Sequence, residues 1–169
     1  MDPKQCMSAR IPFAVDDQGF PVTTEVTTEK EKTMIFHINR ATFKAGLSEE
    51  QRRAGLELMR QAGAANPAVK SYVVGPELGG EFEYGAVYVV EDLDGYWAYL
   101  THPAHVRSEL EGTPLIEKFA AIDVSDSVDP DLGEKIAALQ ARNFQEHPDV
   151  AAVVAQAASF TVPVNVQAD

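Results

Sequence analysis

The sequence predicts an α+β fold of the ferredoxin-like type, with strands and helices in the order βαββαβ and a helical C-terminal extension. Three observations carry that prediction. Four short segments are rich in strand formers, two longer segments have helical character and sit after the first and third strands, and turn formers stand at the joins.

The first strand is "MIFHINRATF", ending at Phe43. "LSEEQRRAGLELMRQAGA" follows as a helix. Ser48 is a good N-cap, and Glu49 and Glu50 put negative charge where the helix dipole favours it. Leu47, Gly55, Leu58, Met59 and Ala62 trace one face, and Asn66-Pro67 closes the element. "VKSYVVG" is the second strand, stopped by Gly75-Pro76. "LGGEFEYG" is a turn-rich connection, and "AVYVVE" the third strand. "DLDGYWAYLTHPAHVRSELEG" is helical with Pro103 inside it, and "IEKFAAIDVS" is the fourth strand.

This gives three regions: an arm or leader over residues 1–32, a βαββαβ domain over 33–125, and a mostly helical extension over 126–169. The extension begins at Asp129-Pro130 with a helix whose apolar side holds Ile136, Leu139 and Phe144. "HPDVAAVVAQAAS" supplies a second short helix. "FTVPVNV" ends extended, with Pro163 restricting it to an edge or bulge.

Two helices on one face of four strands leave the other face uncovered, and the strands are apolar on both alternations. Val87 and Val89 lie on one side of the third strand, and Ala86, Tyr88 and Val90 on the other. An apolar open face has to be buried, and a second copy of the chain is the simplest cover. The expected partner is therefore the chain itself, as a homodimer.

The length of 169 residues is enough for a real core, and 45% hydrophobic with 24% charged residues is the composition of a globular domain. A net charge of −12 argues against a nucleic-acid surface and against anionic membranes. The start of the chain lacks the pattern of a secretory signal, and no apolar run reaches bilayer-spanning length. The single cysteine, Cys6, excludes an intramolecular disulfide framework. A cytoplasmic location is the expectation.

Two of the four histidines, His102 and His105, fall in "YLTHPAHVRSE". Proline at a helix's first turn costs no hydrogen bond, so Pro103 restarts a helix with Thr101 or His102 at its N-cap. His105 then sits in the first turn, where peptide N–H groups disfavour a positive imidazolium and keep the ring able to accept a proton. Tyr99 stands at the end of the preceding helical piece. Along the first strand Ile35, His37, Asn39, Ala41 and Phe43 share one face, and Met34, Phe36 and Ile38 the other. A helix layer is expected on the Met/Phe/Ile face, leaving His37 and Asn39 to be enclosed by the dimer. His37 suits either a hydrogen-bonded core position or a catalytic one. Trp97 and Tyr96 suit packing. A metal shared by His102 and His105 lacks a patterned acidic or cysteine ligand nearby, so no metal is expected.

The runs "TMIFHINRATFKAGLSEEQRRAGLELM", "VKSYVVGPEL" and "YLTHPAHVRSE…PLIEKFAAIDV" resemble the stress-responsive A/B barrel (Dabb) family of dimeric α/β barrels, over roughly residues 33–125. His37 followed by Lys44, together with "HPAHV", carries the likeness. The resemblance implies a homodimer of two face-to-face sheets, with a pocket in each subunit between sheet and "HPAH" helix. It also implies, by distant similarity to the family's polyketide cyclase that makes olivetolic acid, site roles for Tyr99, His105 and His37. Asn39 and His102 are the expected further pocket residues. Asn39 and Arg40 depart from the more apolar strand of relatives and imply a more polar pocket.

Two readings stay open at this level. One is an acid–base enzyme without metal or organic cofactor, acting as an aldol-type cyclase, isomerase or lyase on an oxygenated carbonyl compound. In it His105 takes a proton, Tyr99 donates to the developing enolate oxygen, and His37 positions or relays. The other is a non-catalytic stress-response or ligand-binding dimer.

Overall fold

A computed structural model describes residues 33–156, together with the backbone of three two-residue strands outside that range. The chain divides into two compact units, Met1–Glu31 and Lys32–Asp169. In the first, β1 (Ala14–Val15) pairs antiparallel with β2 (Pro21–Val22). Cys6 and Pro163 lie outside the described residues.

The second unit runs β3 (Ile35–Phe43), α1 (Glu49–Ala64), β4 (Ser71–Pro76), β5 (Tyr84–Val90), α2 (Leu93–Thr101), α3 (Pro103–Arg107) and β6 (Ile116–Ser125). It continues with α4 (Leu132–Glu146), α5 (Pro148–Gln156) and β7 (Phe160–Thr161). Strand order is β4-β5-β3-β6-β7. The first four strands are antiparallel in ferredoxin-like order, and β7 adds in parallel to β6. The fold expected from the sequence is the fold observed.

Local chemistry explains the boundaries. Ser48 and Gln51 form a reciprocal capping box at α1, satisfying two otherwise orphaned N–H groups. Asp92 caps α2 through Gly95 N–H at 2.8 Å. The expected helical face of α1 is the buried one, with Gly55, Leu58, Met59, Ala62 and Gly63 against the sheet. Gly63 is there for closeness: a Cβ would stand 2.5 Å from Cγ and 2.9 Å from Cβ of Tyr72. Those atoms sit near the backbone and cannot swing away. Gly63→Ala should therefore destabilise by about 1–3 kcal/mol through overpacking, more than the ~1 kcal/mol that helix propensity returns. A lowered urea midpoint at unchanged slope is the expected readout.

Register fixes which residues share a face. His37 lies opposite Tyr88 and Asp123, Asn39 opposite Ala86 and Ala121, and Ile35 opposite Val90 and Ser125. This is the helix-covered side, with Ile35, Ala41, Phe43, Ala86, Tyr88 and Val90 buried. The expected assignment of faces is thus reversed. The helices cover His37 and Asn39, and the side left open is the one carrying Phe36 and Ile38. The reason is that α2 brings Tyr96, whose hydroxyl meets His37 and its partner Asp123, so that polar pair finds a partner beneath it. The other face, apolar apart from the Arg40 and Lys118 end, has no such need.

That open face combines Phe36 and Ile38 with Val73, Val87, Val89, Ala120, Ile122 and Val124 across all four core strands. Val73 is 61% exposed and Val124 52%. At one end the loop between β4 and β5 folds over it. Phe82 is sandwiched between Arg40, 4.4 Å from the ring centroid, and Lys118, at 4.5 Å. Arg40 grips Glu77 through two hydrogen bonds of 2.6 and 2.8 Å, and Lys118 reaches Glu81 at 2.7 Å.

Candidate functional site

The break at Pro103 builds the site. His102 ends α2 and caps α3, its Nδ1 accepting from Ala104 N–H at 3.2 Å. With Pro103 at the first helical position, the chain turns and drops His105 back toward α2, where its ring lies 4.4 Å from that of Tyr99. After α3 the helix widens to a π turn over Ser108–Gly112, a distortion common at functional sites.

Between the sheet, α1, the α2–α3 corner and α4 lies a cavity of about 90 Å³. His37, Asn39, Tyr99 and His105 all line it. His102 does not: the residue expected to line the pocket is occupied as the cap that shapes it. Among the described residues no three His, Cys, Asp or Glu side chains gather as a metal-binding group.

His37 is held by Asp123, whose Oδ1 lies 2.8 Å from Nδ1. Since the carboxylate accepts, Nδ1 carries the proton, and Nε2 keeps its lone pair. A hydrogen-bonded chain supports the pair. Gln140 on α4 donates to the Tyr96 hydroxyl at 2.8 Å, and Tyr96 donates to Asp123 Oδ2 at 3.4 Å while touching His37 Nδ1 at 3.1 Å. Tyr96, expected as packing only, is thus part of the site's support. Its hydroxyl stays protonated because burial, then the nearby Asp123 charge, raises its pKa well above the ordinary value.

His105 donates from Nδ1 to the Leu100 carbonyl at 2.9 Å, which leaves Nε2 as an acceptor. Its pKa is pushed down to about 3, first by burial and then by the positive charge His37 would carry if both rings were protonated. The expected neutrality is present, but burial rather than the start of a five-residue helix is its cause. Tyr99 is fully buried among the rings of Tyr88, His105 and His37. Burial holds its pKa well above the ordinary value, so its hydroxyl is a donor and not a base.

Four buried side-chain atoms among the described residues have no protein hydrogen-bond partner: Asn39 Oδ1, Tyr99 Oη, Glu109 Oε2 and Asn143 Oδ1. All four residues line this one cavity. An unmatched buried polar atom costs about 1–3 kcal/mol, so unmet hydrogen-bonding capacity is concentrated around this one cavity.

Asp123, Glu109, Gln140 and Asn143 were not among the sequence candidates. Each had a visible signal. Asp123 is an acid in the apolar second half of its strand, on the face of Ala121 and Ser125. Glu109 follows His105 by one helical turn. Gln140 and Asn143 interrupt the apolar stripe of Ile136, Leu139 and Phe144.

The stress responsive A/B barrel domain (Dabb) model matches residues 35–126. No curated protein matches the chain. Among solved structures, a dimeric ferredoxin-like protein of unknown function from Thermobifida fusca is similar at 24% identity and TM-score 0.50. The match covers 56% of this chain and 92% of that one. A hydroxynitrile lyase from Passiflora edulis is similar at 17% identity and TM-score 0.51, covering 56% and 94%. At these identities the likeness concerns the fold.

Proposed function

Because the chain belongs to the stress responsive A/B barrel family, we propose that it works as a homodimer whose subunit cavity binds a small oxygenated carbonyl compound and moves a proton on it. No organic cofactor or metal enters this reading. The observation that carries it is that His37, held from behind by Asp123, lines one cavity together with His105 and the unpartnered Tyr99 hydroxyl.

Roles follow from the hydrogen bonds. His37, oriented by Asp123, takes the proton alpha to a carbonyl, and the carboxylate supports the imidazolium that forms. Tyr99 donates to the enolate oxygen. A ring with a pKa of about 3 is too weak to be the principal base. His105 therefore passes from the expected base to an acceptor that orients a substrate hydroxyl. Aldol-type cyclisation and isomerisation use this step, as do lyases that eliminate a group beta to a carbonyl. The small cavity favours a compact substrate over a long polyketide chain.

Proton exchange tests this without knowing the product. Small ketones and hydroxyketones incubated in D₂O with the protein should exchange alpha protons faster than in buffer, and His37→Gln should lose ~10²–10⁴-fold of that rate. Exchange at the buffer rate across the panel would leave a binding dimer instead.

The dimer rests on the open apolar face and on the dimeric Thermobifida neighbour. Val124→Asp places a charge on that surface, on the side of the sheet away from the helix-covered core. The expected result by light scattering is a folded monomer. A variant that keeps twice the chain mass would place the contact elsewhere. Among the described residues no helix is long and apolar enough to cross a membrane.

A further inference from the structure

We propose that Glu109 and Asn143 are specificity-determining residues of the cavity, and that with Asn39 and Tyr99 they select a small uncharged molecule carrying a carbonyl oxygen and a neighbouring hydroxyl. This deepens the reading of the cavity as the working site and rests on it.

Charge is the first argument. Among the described residues no lysine or arginine lines the cavity, and its acidic member is Glu109. A carboxylate or phosphate ligand would enter beside a buried carboxyl group with no cation to offset it. Glu109 itself has no cationic partner. The nearest basic atom, His105 Nδ1, stands 3.5 Å from Oε2 and is already committed to Leu100. Burial accordingly pushes the Glu109 carboxyl up to about 8 against a hydrogen bond from Asn143 that works the other way. At neutral pH it is mostly protonated and can both donate and accept.

The second argument is hydrogen-bond matching. Tyr99 offers a donor, and protonated Glu109 offers another, so the ligand needs acceptors. Asn39 Oδ1 and Asn143 Oδ1 are acceptors, so it also needs a hydroxyl hydrogen. Asn143 is 1% exposed, so its amide is held away from solvent at the cavity wall. Size is the third: about 90 Å³ admits only a compact molecule. The selecting wall comes partly from the C-terminal extension, because Gln140, Asn143 and Phe144 of α4 all face the cavity.

The test is binding, followed on the full chain by ¹H–¹⁵N NMR, with hydroxyacetone as the neutral hydroxyketone probe. Acetone serves as the probe without a hydroxyl, and pyruvate as the charged one. Hydroxyacetone should give saturable shifts at cavity residues, acetone should bind about tenfold more weakly, and pyruvate should give no saturable shift. One lost hydrogen bond of about 1.4 kcal/mol is that tenfold. Glu109→Leu and Asn143→Leu should each weaken hydroxyacetone about tenfold, whereas Glu109→Gln, which keeps a donor and an acceptor, should stay within about threefold. If either leucine variant fails to give a dispersed spectrum, Asn143→Ser and Glu109→Met replace them. Pyruvate binding as well as hydroxyacetone, affinities indifferent to both positions, or no saturable hydroxyacetone shift would each overturn the proposal. Selective binding without proton exchange would leave it standing and remove the catalytic reading alone.

Discussion

Asp123→Asn should leave the dimer folded and reduce alpha-proton exchange by ~10²–10⁴-fold. The side chain keeps its shape, but an amide can turn its N–H₂ toward His37, which then must accept at Nδ1. The ring proton moves to Nε2, and the lone pair that takes the substrate proton is gone. The change is local, because Asp123 Oδ1 is 2.8 Å from His37 Nδ1 and Tyr96 remains held by Gln140. Imidazole ¹⁵N shifts give a readout that needs no substrate: the wild type should show the Nδ1–H tautomer of His37, and the variant the Nε2–H form. A wild-type Nε2–H tautomer would remove the basis for assigning His37 as the base.

The second large effect is a stability maximum in mildly acidic solution. The pKa of His105 is lowered on folding, from 6.5 to about 3. The unfolded chain therefore binds a proton the native state refuses, and stability falls as pH drops below about 6.5. Glu109 is raised, from 4.5 to about 8. Its contribution is fully present below about 4.5 and is lost as pH rises toward 8. Each group alone limits the slope to about 1.4 kcal/mol per pH unit. Carboxylates held down by partners, Glu77 by Arg40 above all, add to the acid limb. The alkaline limb belongs mainly to Glu109, since the groups facing it, His105, Tyr96 and Tyr99, stay neutral across that range. Urea unfolding from pH 4 to 9 should show the dome, and Glu109→Gln should flatten its alkaline side. An identical alkaline limb in the variant would mean that Glu109 is ionised in the native state.

The elements were readable because their signals are local. Ser48 with Gln51, Asp92 with Gly95, and Pro103 after His102 each announce a helix start within a few residues. The site was readable in part, for the same reason: Tyr99 and His105 are a short helical segment apart, and His37 stands out in an apolar strand. What escaped was non-local. Asp123 meets His37 only through the pairing of β3 with β6, 86 residues apart in sequence. Gln140 and Asn143 reach the cavity only because α4 packs beside α2. The face of β3 was misjudged because alternation says which residues go together and not which side the helices take. That choice was made by Tyr96 on α2, which gives the His37–Asp123 pair somewhere to bond.

The Phe82 sandwich at the end of the open face also bears on how two sheets would register. A flat apolar surface alone lets a partner slide along its strands by two residues at a time with little penalty. Here sliding toward the β4–β5 loop would press apolar side chains against Arg40 and Lys118, whose charges are already matched within the subunit by Glu77 and Glu81. Stripping water from those pairs returns nothing. In the proposed dimer the cluster disfavours sliding toward that end of the face without making a bond across it.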